Sequence, residues 1–549
     1  MPSPPVLVRV VIATFVVVAV SSLLPAVDEP RYDPVTEAAR ALAKMDVRLG
    51  DCPQFGVSHF RNNVSATQNI PTRWDVTTGF NIKWSAMLGS QTYGTPVVAN
   101  GKIFIGTNNG NGYVARFPVN VDLGVLACFD EETGKFRWQH SSPILPGGRE
   151  VNWDLIGACS TPYIEGDRLW YVNNRDEVIC LDTEGFLDGE NDGPVIDEPN
   201  QNKDEADVIW KFDLIGKFGV VPRHASCCSV TALGDTLLVC TSNGTNARRA
   251  VANPQAPSFL AMDKNTGKVL WTDRSPGENI LNGQWSSPAC GVLGGVEQAI
   301  FAGGDGWLYS FDARGDNGRP LLLWKFDCNP KTSQFRLERS GRNPILATPV
   351  IYDGLVYAGV GEDPEHGEGP GHLWCIDPTK RGDVSPTLVY NKRDPTTPVP
   401  PRRLFAADPK AGDFERENNN SASVWHYTGE KPRVFETTMH RTLSSAAIKD
   451  GLLFIADESG LFHCLDAKTG AGYWTYDLLA AAWSTPLIVG DCVYIADQDG
   501  DVVVFKVAKK MEMVSEQNMG TPVYSTPIVA NDVLYIATFN RLFAIAKPK

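Results

Sequence analysis

The spacing Asp-x-x-Thr-Gly-x-x-x-Trp recurs at 130–138 (DEETGKFRW), 263–271 (DKNTGKVLW) and 466–474 (DAKTGAGYW), each time with eight residues from Asp to Trp. The third copy sits in a fuller unit, 450–474. Runs at 452–456 and 461–465 read as alternating strands, separated by Asp457, Glu458, Ser459 and Gly460, the composition of a hairpin turn. A second tight turn follows at 466–470, where Gly470 supplies a permissive backbone, and then an outer strand carries Trp474.

A second marker is a short strand ending in Ser/Thr-Pro. It occurs at Thr95-Pro96, Thr161-Pro162, Ser287-Pro288, Thr348-Pro349, Thr485-Pro486 and Thr526-Pro527, with degenerate copies at Ser229-Val230 and Ser445-Ala446, eight in all. The steps from Ala446 to Pro486 and from Pro486 to Pro527 are 40 and 41 residues, the length of one four-stranded blade. The pattern predicts an all-β fold, an eight-bladed β-propeller over 52–549, with long insertions near 108–126, 183–207 and 380–423. The stretch 81–88, around Lys83-Trp84, reads as an outer strand without a blade, whereas 524–546 reads as a blade of three strands. Together they predict a ring whose last blade is closed by an N-terminal strand, leaving no open sheet edge.

Repetition absorbs 549 residues into one body, expected to be monomeric. A net charge of −14 excludes nucleic acid as a partner, because phosphates demand a basic face. Residues 10–27 are almost wholly apolar and follow Arg9, so 1–27 reads as a signal peptide or an uncleaved membrane anchor. Membrane contact is expected only there. Residues 28–51 read as a polar, flexible lead-in with one short helical pattern at 35–47. The protein is expected to be exported, periplasmic or anchored facing the periplasm.

The repeats resemble the tryptophan-docking motifs of the pyrroloquinoline quinone (PQQ) propeller superfamily. Cys52-Pro53-Gln54-Phe55-Gly56 resembles the Trp-Pro-x-Phe-x-Gly motif that opens its exported bacterial members, with Cys in place of Trp. The stretch 359–378 is similar to bacterial PQQ-binding-like repeat proteins. The superfamily includes quinoprotein alcohol dehydrogenases and a non-enzymatic propeller lipoprotein of the β-barrel assembly machinery, so the resemblance implies a fold and leaves the activity open. It also implies that Trp84, Trp138, Trp271 and Trp474 pack between blades as structural staples.

Aligning the blades on the Ser/Thr-Pro marker puts Tyr93, Cys159, Cys227, Trp285, Leu346, Leu443, Trp483 and Tyr524 at one equivalent position, three residues before the Pro site. They are expected to ring one mouth of the central channel. Such a ring suits a planar cofactor or an extended peptide, or wedges the blades apart. Adjacent Cys227 and Cys228 fall on this ring, and in quinoprotein dehydrogenases an adjacent pair closes a disulfide against PQQ. The residues that follow favour packing: 229–234 continues as a buried strand, in register with 160–166. Both thiols are therefore expected to be reduced.

A dehydrogenase also needs a base and Ca²⁺. Asp154, beside Trp153, is the one echo of a base, and no Cys-x-x-Cys-His is present for a c-type haem. Two acidic loops are candidate metal sites: Asp188, Glu190 and Asp192, with Pro199 where a calcium loop requires Glu, and Glu362, Asp363, His366, Glu368 and His372. A solvated turn accounts for either. The resulting expectation is a binding or assembly module of the cell envelope with a protein or peptide partner, the alternative being a PQQ- and Ca²⁺-dependent dehydrogenase of alcohols or sugars.

Overall fold

A computed structural model describes residues 1–2, 32–336, 341–361, 369–431 and 434–548. The expected signal or anchor segment lies almost wholly outside the described residues, among which no helix is long and apolar enough to cross a membrane. The chain divides into Met1–Tyr32 and Asp33–Lys549. All regular structure described here belongs to the second unit.

That unit is a β-propeller. Eight sheets contain a four-strand antiparallel plan, and their innermost strands are Val97–Ala99, Tyr163–Glu165, Thr231–Leu233, Ala289–Leu293, Val350–Tyr352, Ala447–Lys449, Leu487–Val489 and Ile528–Ala530. Numbered in that order, blades one to seven take their four strands consecutively, interrupted only in blade five. Blade eight takes three strands from the C-terminus, and its fourth is Ile82–Met87, antiparallel to Arg541–Ile545 with Ser85 opposite Phe543. The N-terminal strand closes the last blade.

The middle strands do not alternate. Leu452–Ala456 is buried at every position, as is Val533–Ala537, because each blade is covered by a neighbour on both faces. The alternation expected for 452–456 is the pattern of a half-exposed strand, and this strand has no exposed face.

The repeated motif is a contact between blades. Asp130 Oδ1 accepts the Thr133 N–H at 2.9 Å and its hydroxyl at 2.7 Å, which folds the chain into a turn ending on Gly134. A Cβ on Gly134 would stand 2.4 Å from the ring of Trp84 on the preceding blade, so only glycine lets the ring approach. Gly267 meets Trp210, and Gly470 meets Trp425, in the same way. Each ring's N–H then reaches across to a backbone carbonyl: Trp84 to Glu131 at 3.1 Å, Trp138 to Thr183 at 3.2 Å, Trp271 to Ala313 at 3.1 Å and Trp474 to Ala508 at 3.0 Å.

Two expectations about the chain's organisation change. The lead-in is docked rather than flexible: Pro34–Leu42 is a helix capped by Asp33, and its Ala38 and Leu42 sit with Met45 in the apolar core. The insertion at 380–423 carries a small sheet of its own, Thr387–Asn391 with Asp394–Pro398 and Asp413–Glu417. It also lends Gly382–Asp383 to blade four as a fifth strand beside Leu322–Asp327.

Candidate functional site

The two ends of the channel are built differently. At one end, residues 50–65 pass once around the axis and bond to every blade in turn. Gly50 O accepts the Asn531 N–H of blade eight at 2.9 Å, and Cys52 exchanges two backbone bonds with Val98 of blade one, at 3.0 and 2.8 Å. Pro53 O accepts from Ile164, His59 O from Cys290, Phe60 O from Ile351 and Asn63 O from Ile488, all at 2.9–3.0 Å. Gln54 Oε1 accepts the Thr231 hydroxyl at 2.7 Å, and the Asn62 amide bonds Ile448 in both directions at 2.8 Å. Arg61, fully buried, fills the middle: Nε donates to Pro288 O at 2.8 Å, Nη1 to Phe55 O at 3.0 Å and Nη2 to Ser229 O at 2.6 Å. Burial lowers its pKa to about 10, still well above neutrality.

Halfway along the inner strands runs a belt made by the Ser/Thr of the marker. The N–H of Thr161 donates to Ser229 Oγ at 3.0 Å, Ser229 to Ser287 at 2.9 Å, Thr348 to Ser445 at 3.0 Å, Ser445 to Thr485 at 3.1 Å, Thr485 to Thr526 at 3.0 Å and Thr526 to Thr95 at 3.2 Å. The marker's hydroxyl is thus an acceptor for the neighbouring blade, which explains the residue type. The last of these bonds joins blade eight to blade one.

Beyond the belt the channel opens into a cavity of about 200 Å³, roomy beside the 10–15 Å³ one water needs. All eight residues of the aligned ring line it, joined by Trp153, Ile156, His224 and Ala225. Blades seven, eight and one contribute an aromatic cluster, with Trp483 and Tyr524 edge to face at 4.8 Å and Tyr93 at 5.3 Å from Tyr524. Across the cavity, Trp153 Nε1 donates to His224 Nδ1 at 2.9 Å, and Trp285 Nε1 to Arg223 O at 2.9 Å. His224 holds a left-handed backbone, φ 64°, strained for a residue with a Cβ. Trp483 Nε1 is buried in the wall and meets no acceptor among the described residues.

The additional lining residues come from the connections that lead into blades two and three, which carry no repeat signal. Only the proximity of Trp153 to the aligned Cys159 hints at them in the sequence.

Several sequence candidates lie elsewhere. Asp154 is exposed and outside the cavity lining, so the candidate base does not face the site. Cys227 and Cys228 turn in opposite directions: Cys227 lines the cavity, whereas Cys228 Sγ accepts the Cys240 N–H at 3.2 Å inside blade three. Both are free thiols. Asp188 and Glu190 share a local turn, the Glu190 N–H bonding Asp188 Oδ1 at 2.9 Å, while Asp192 turns toward Arg168 at 3.7 Å, so the three carboxylates do not converge. His366, with Glu362, Asp363 and Glu368, lies outside the described residues. His372 is buried with Nδ1 at 3.0 Å from His426 Nε2, and burial lowers its pKa to about 3. Among the described residues no group of three or more His, Cys, Asp or Glu is placed to hold a metal ion.

PQQ with Ca²⁺ does not fit this lining. The ion requires several oxygen donors and the quinone's carboxylates require cationic partners, yet among the described residues no Asp, Glu, Asn, Gln, Lys or Arg lines the cavity.

A propeller sealed at one mouth and aromatic at the other defines a repeat scaffold with a cavity in its channel. Residues 415–545 match the family model described as outer membrane protein assembly factor BamB, which supports placing the chain in the PQQ-like propeller superfamily. No curated protein matches. Similar solved structures include BamB from Moraxella catarrhalis, 14% identical over 84% of this chain and 96% of that one, TM-score 0.47. A quinohemoprotein alcohol dehydrogenase from Comamonas testosteroni is 13% identical over 94% and 85%, TM-score 0.41. A europium-containing methanol dehydrogenase is 12% identical over 92% and 99%, TM-score 0.45.

Proposed function

We propose that the chain is an exported propeller of the cell envelope that works as a binding or assembly module. Its open mouth takes an apolar or aromatic side chain from an extended segment of a partner protein. The observation that carries this reading is the lining itself: among the described residues, five aromatic rings, four aliphatic side chains, two thiols and one imidazole, with no Asp, Glu, Lys or Arg. Such a wall gains from displacing water with apolar surface, at about 25 cal/mol per Å², and has little to offer a polyanionic cofactor. The BamB description of the matched family model agrees with an assembly role.

The test is a titration of fluorescently labelled ten-residue peptides that alternate Phe or Leu with Ser and Thr. Wild type should bind them, and the Trp285→Ala, Trp483→Ala double variant should bind at least about tenfold more weakly, since buried aromatic anchors dominate such contacts. Stoichiometric retention of PQQ with Ca²⁺, accompanied by dye-linked alcohol oxidation, would overturn the proposal in favour of a dehydrogenase.

A further inference from the structure

Ten of the twelve cysteines are buried, and the two that are not, Cys159 and Cys227, line the same cavity. They occupy the equivalent ring position on adjacent blades, two and three. Two residues further along, Thr161 and Ser229 are joined by the belt hydrogen bond of 3.0 Å. That bond holds the two Cα atoms at that level within about 7 Å, comparable to the separation across a disulfide. Cys228 cannot compete for either partner, because its sulfur faces the core and the Cys240 N–H.

We propose that Cys159 and Cys227 are a redox-active pair that closes a disulfide across blades two and three at the open mouth. The oxidant is a small disulfide, RSSR. One cysteine thiolate attacks it, forming a mixed disulfide and expelling RS⁻, which takes up a proton. The second cysteine loses its proton and attacks the mixed disulfide, forming the Cys159–Cys227 bond and expelling the second RS⁻. The sum is two protein thiols plus RSSR giving one protein disulfide plus two RSH. The neighbouring Cys159 side chain, and then the loss of water around the half-buried sulfur, push the Cys227 thiol well above its ordinary pKa. Exchange should therefore quicken as pH rises, since the thiolate is the nucleophile. The bond would fix one wall of the cavity, and its formation does not depend on what the cavity binds.

The experiment uses the full-length protein, first reduced and desalted, then exposed to excess 2-hydroxyethyl disulfide, quenched with acid, alkylated in denaturant and digested with trypsin. The expected product joins peptide 150–168 to peptide 224–248, two hydrogens lighter than their sum, with Cys228 and Cys240 alkylated. A Cys159→Ser variant should instead leave Cys227 as a stable mixed disulfide. Three results would overturn the proposal: peptide 224–248 alone lighter by two hydrogens, two separate mixed disulfides in wild type, or twelve alkylated cysteines.

Discussion

The two mouths of the channel are reached by the same inner strands, five residues apart, yet one is closed by hydrogen bonds and the other is left apolar. At the sealed mouth, residues 50–65 satisfy backbone groups from all eight blades and bury a guanidinium against three carbonyls. At the open mouth, the equivalent ring carries side chains that contact one another and leave Trp483 Nε1 without an acceptor among the described residues. A polar clasp stabilises by satisfying groups that would otherwise be buried and unpaired. An apolar ring leaves surface that a ligand can still cover. The contrast assigns stability to the first mouth, and the proposed recognition rests on the second.

The largest break comes from removing the clasp. Deleting residues 1–90 takes away both the seal and Ile82–Met87, opening the edge of blade eight along Arg541–Ile545. The truncated chain should aggregate or unfold without cooperativity in a circular-dichroism melt, and an unchanged transition would contradict the closure role. Arg61→Met is the point version. It leaves Pro288 O, Phe55 O and Ser229 O without their donor, and a loss of about 3–5 kcal/mol is expected in urea unfolding.

At the open mouth the same measurement should barely move. Trp483→Phe removes an unpartnered buried N–H while keeping an aromatic ring against Tyr524, so the stability change should stay within about 1 kcal/mol. If Trp483→Phe costs as much as Arg61→Met, the division between the mouths fails.

The ring was legible in the sequence because one marker, Ser/Thr-Pro, fixes the register of every inner strand, and register decides which residue reaches the axis. Counting three residues back from the Pro site found all eight ring members of the cavity wall. The proposed pairing of Cys159 with Cys227 was not legible, although both were named. Neighbours on a ring come together in space while lying in different repeats, so nothing along the chain links Cys159 to Cys227. The clasp was hidden for the opposite reason. Residues 50–65 act largely through backbone carbonyls, with Gln54, Arg61, Asn62 and Asn63 adding side-chain bonds, and none of these contacts follows a repeat that would announce a clasp. Trp153 and His224 stood in connections whose length varies between blades, so no register applied.

The smallest expected effect sharpens the comparison around the open mouth, where the turns between second and third strands sit. Asp457 and Asp497 hold the same turn in adjacent blades: Asp457 Oδ1 accepts the N–H groups of Ser459 and Leu461 at 3.0 and 2.9 Å, and Asp497 Oδ1 those of Asp499 and Asp501 at 3.0 Å each. Burial raises both carboxyls. At Asp497 burial, helped by the nearby Asp501 and Asp499 carboxylates, outweighs the two backbone N–H bonds, and the pKa rises to about 6. At Asp457, hydrogen bonds from His440 and His463, at 3.2 and 3.3 Å, outweigh burial and the net direction is down. The two turns therefore respond to acid with opposite sign. A raised carboxyl contributes stability that is full below its unfolded pKa, near 3.8, and lost as pH rises through about 6. A depressed one contributes stability that is present above the unfolded value and lost as pH falls through the folded one. Asp497→Asn should accordingly flatten the dependence of Tm on pH between 4 and 7, with little change at the acid end. Asp457→Asn should lower Tm at neutral pH and narrow the gap to wild type as the solution is acidified. Equal slopes for the two variants would mean that the histidines do not set the state of Asp457.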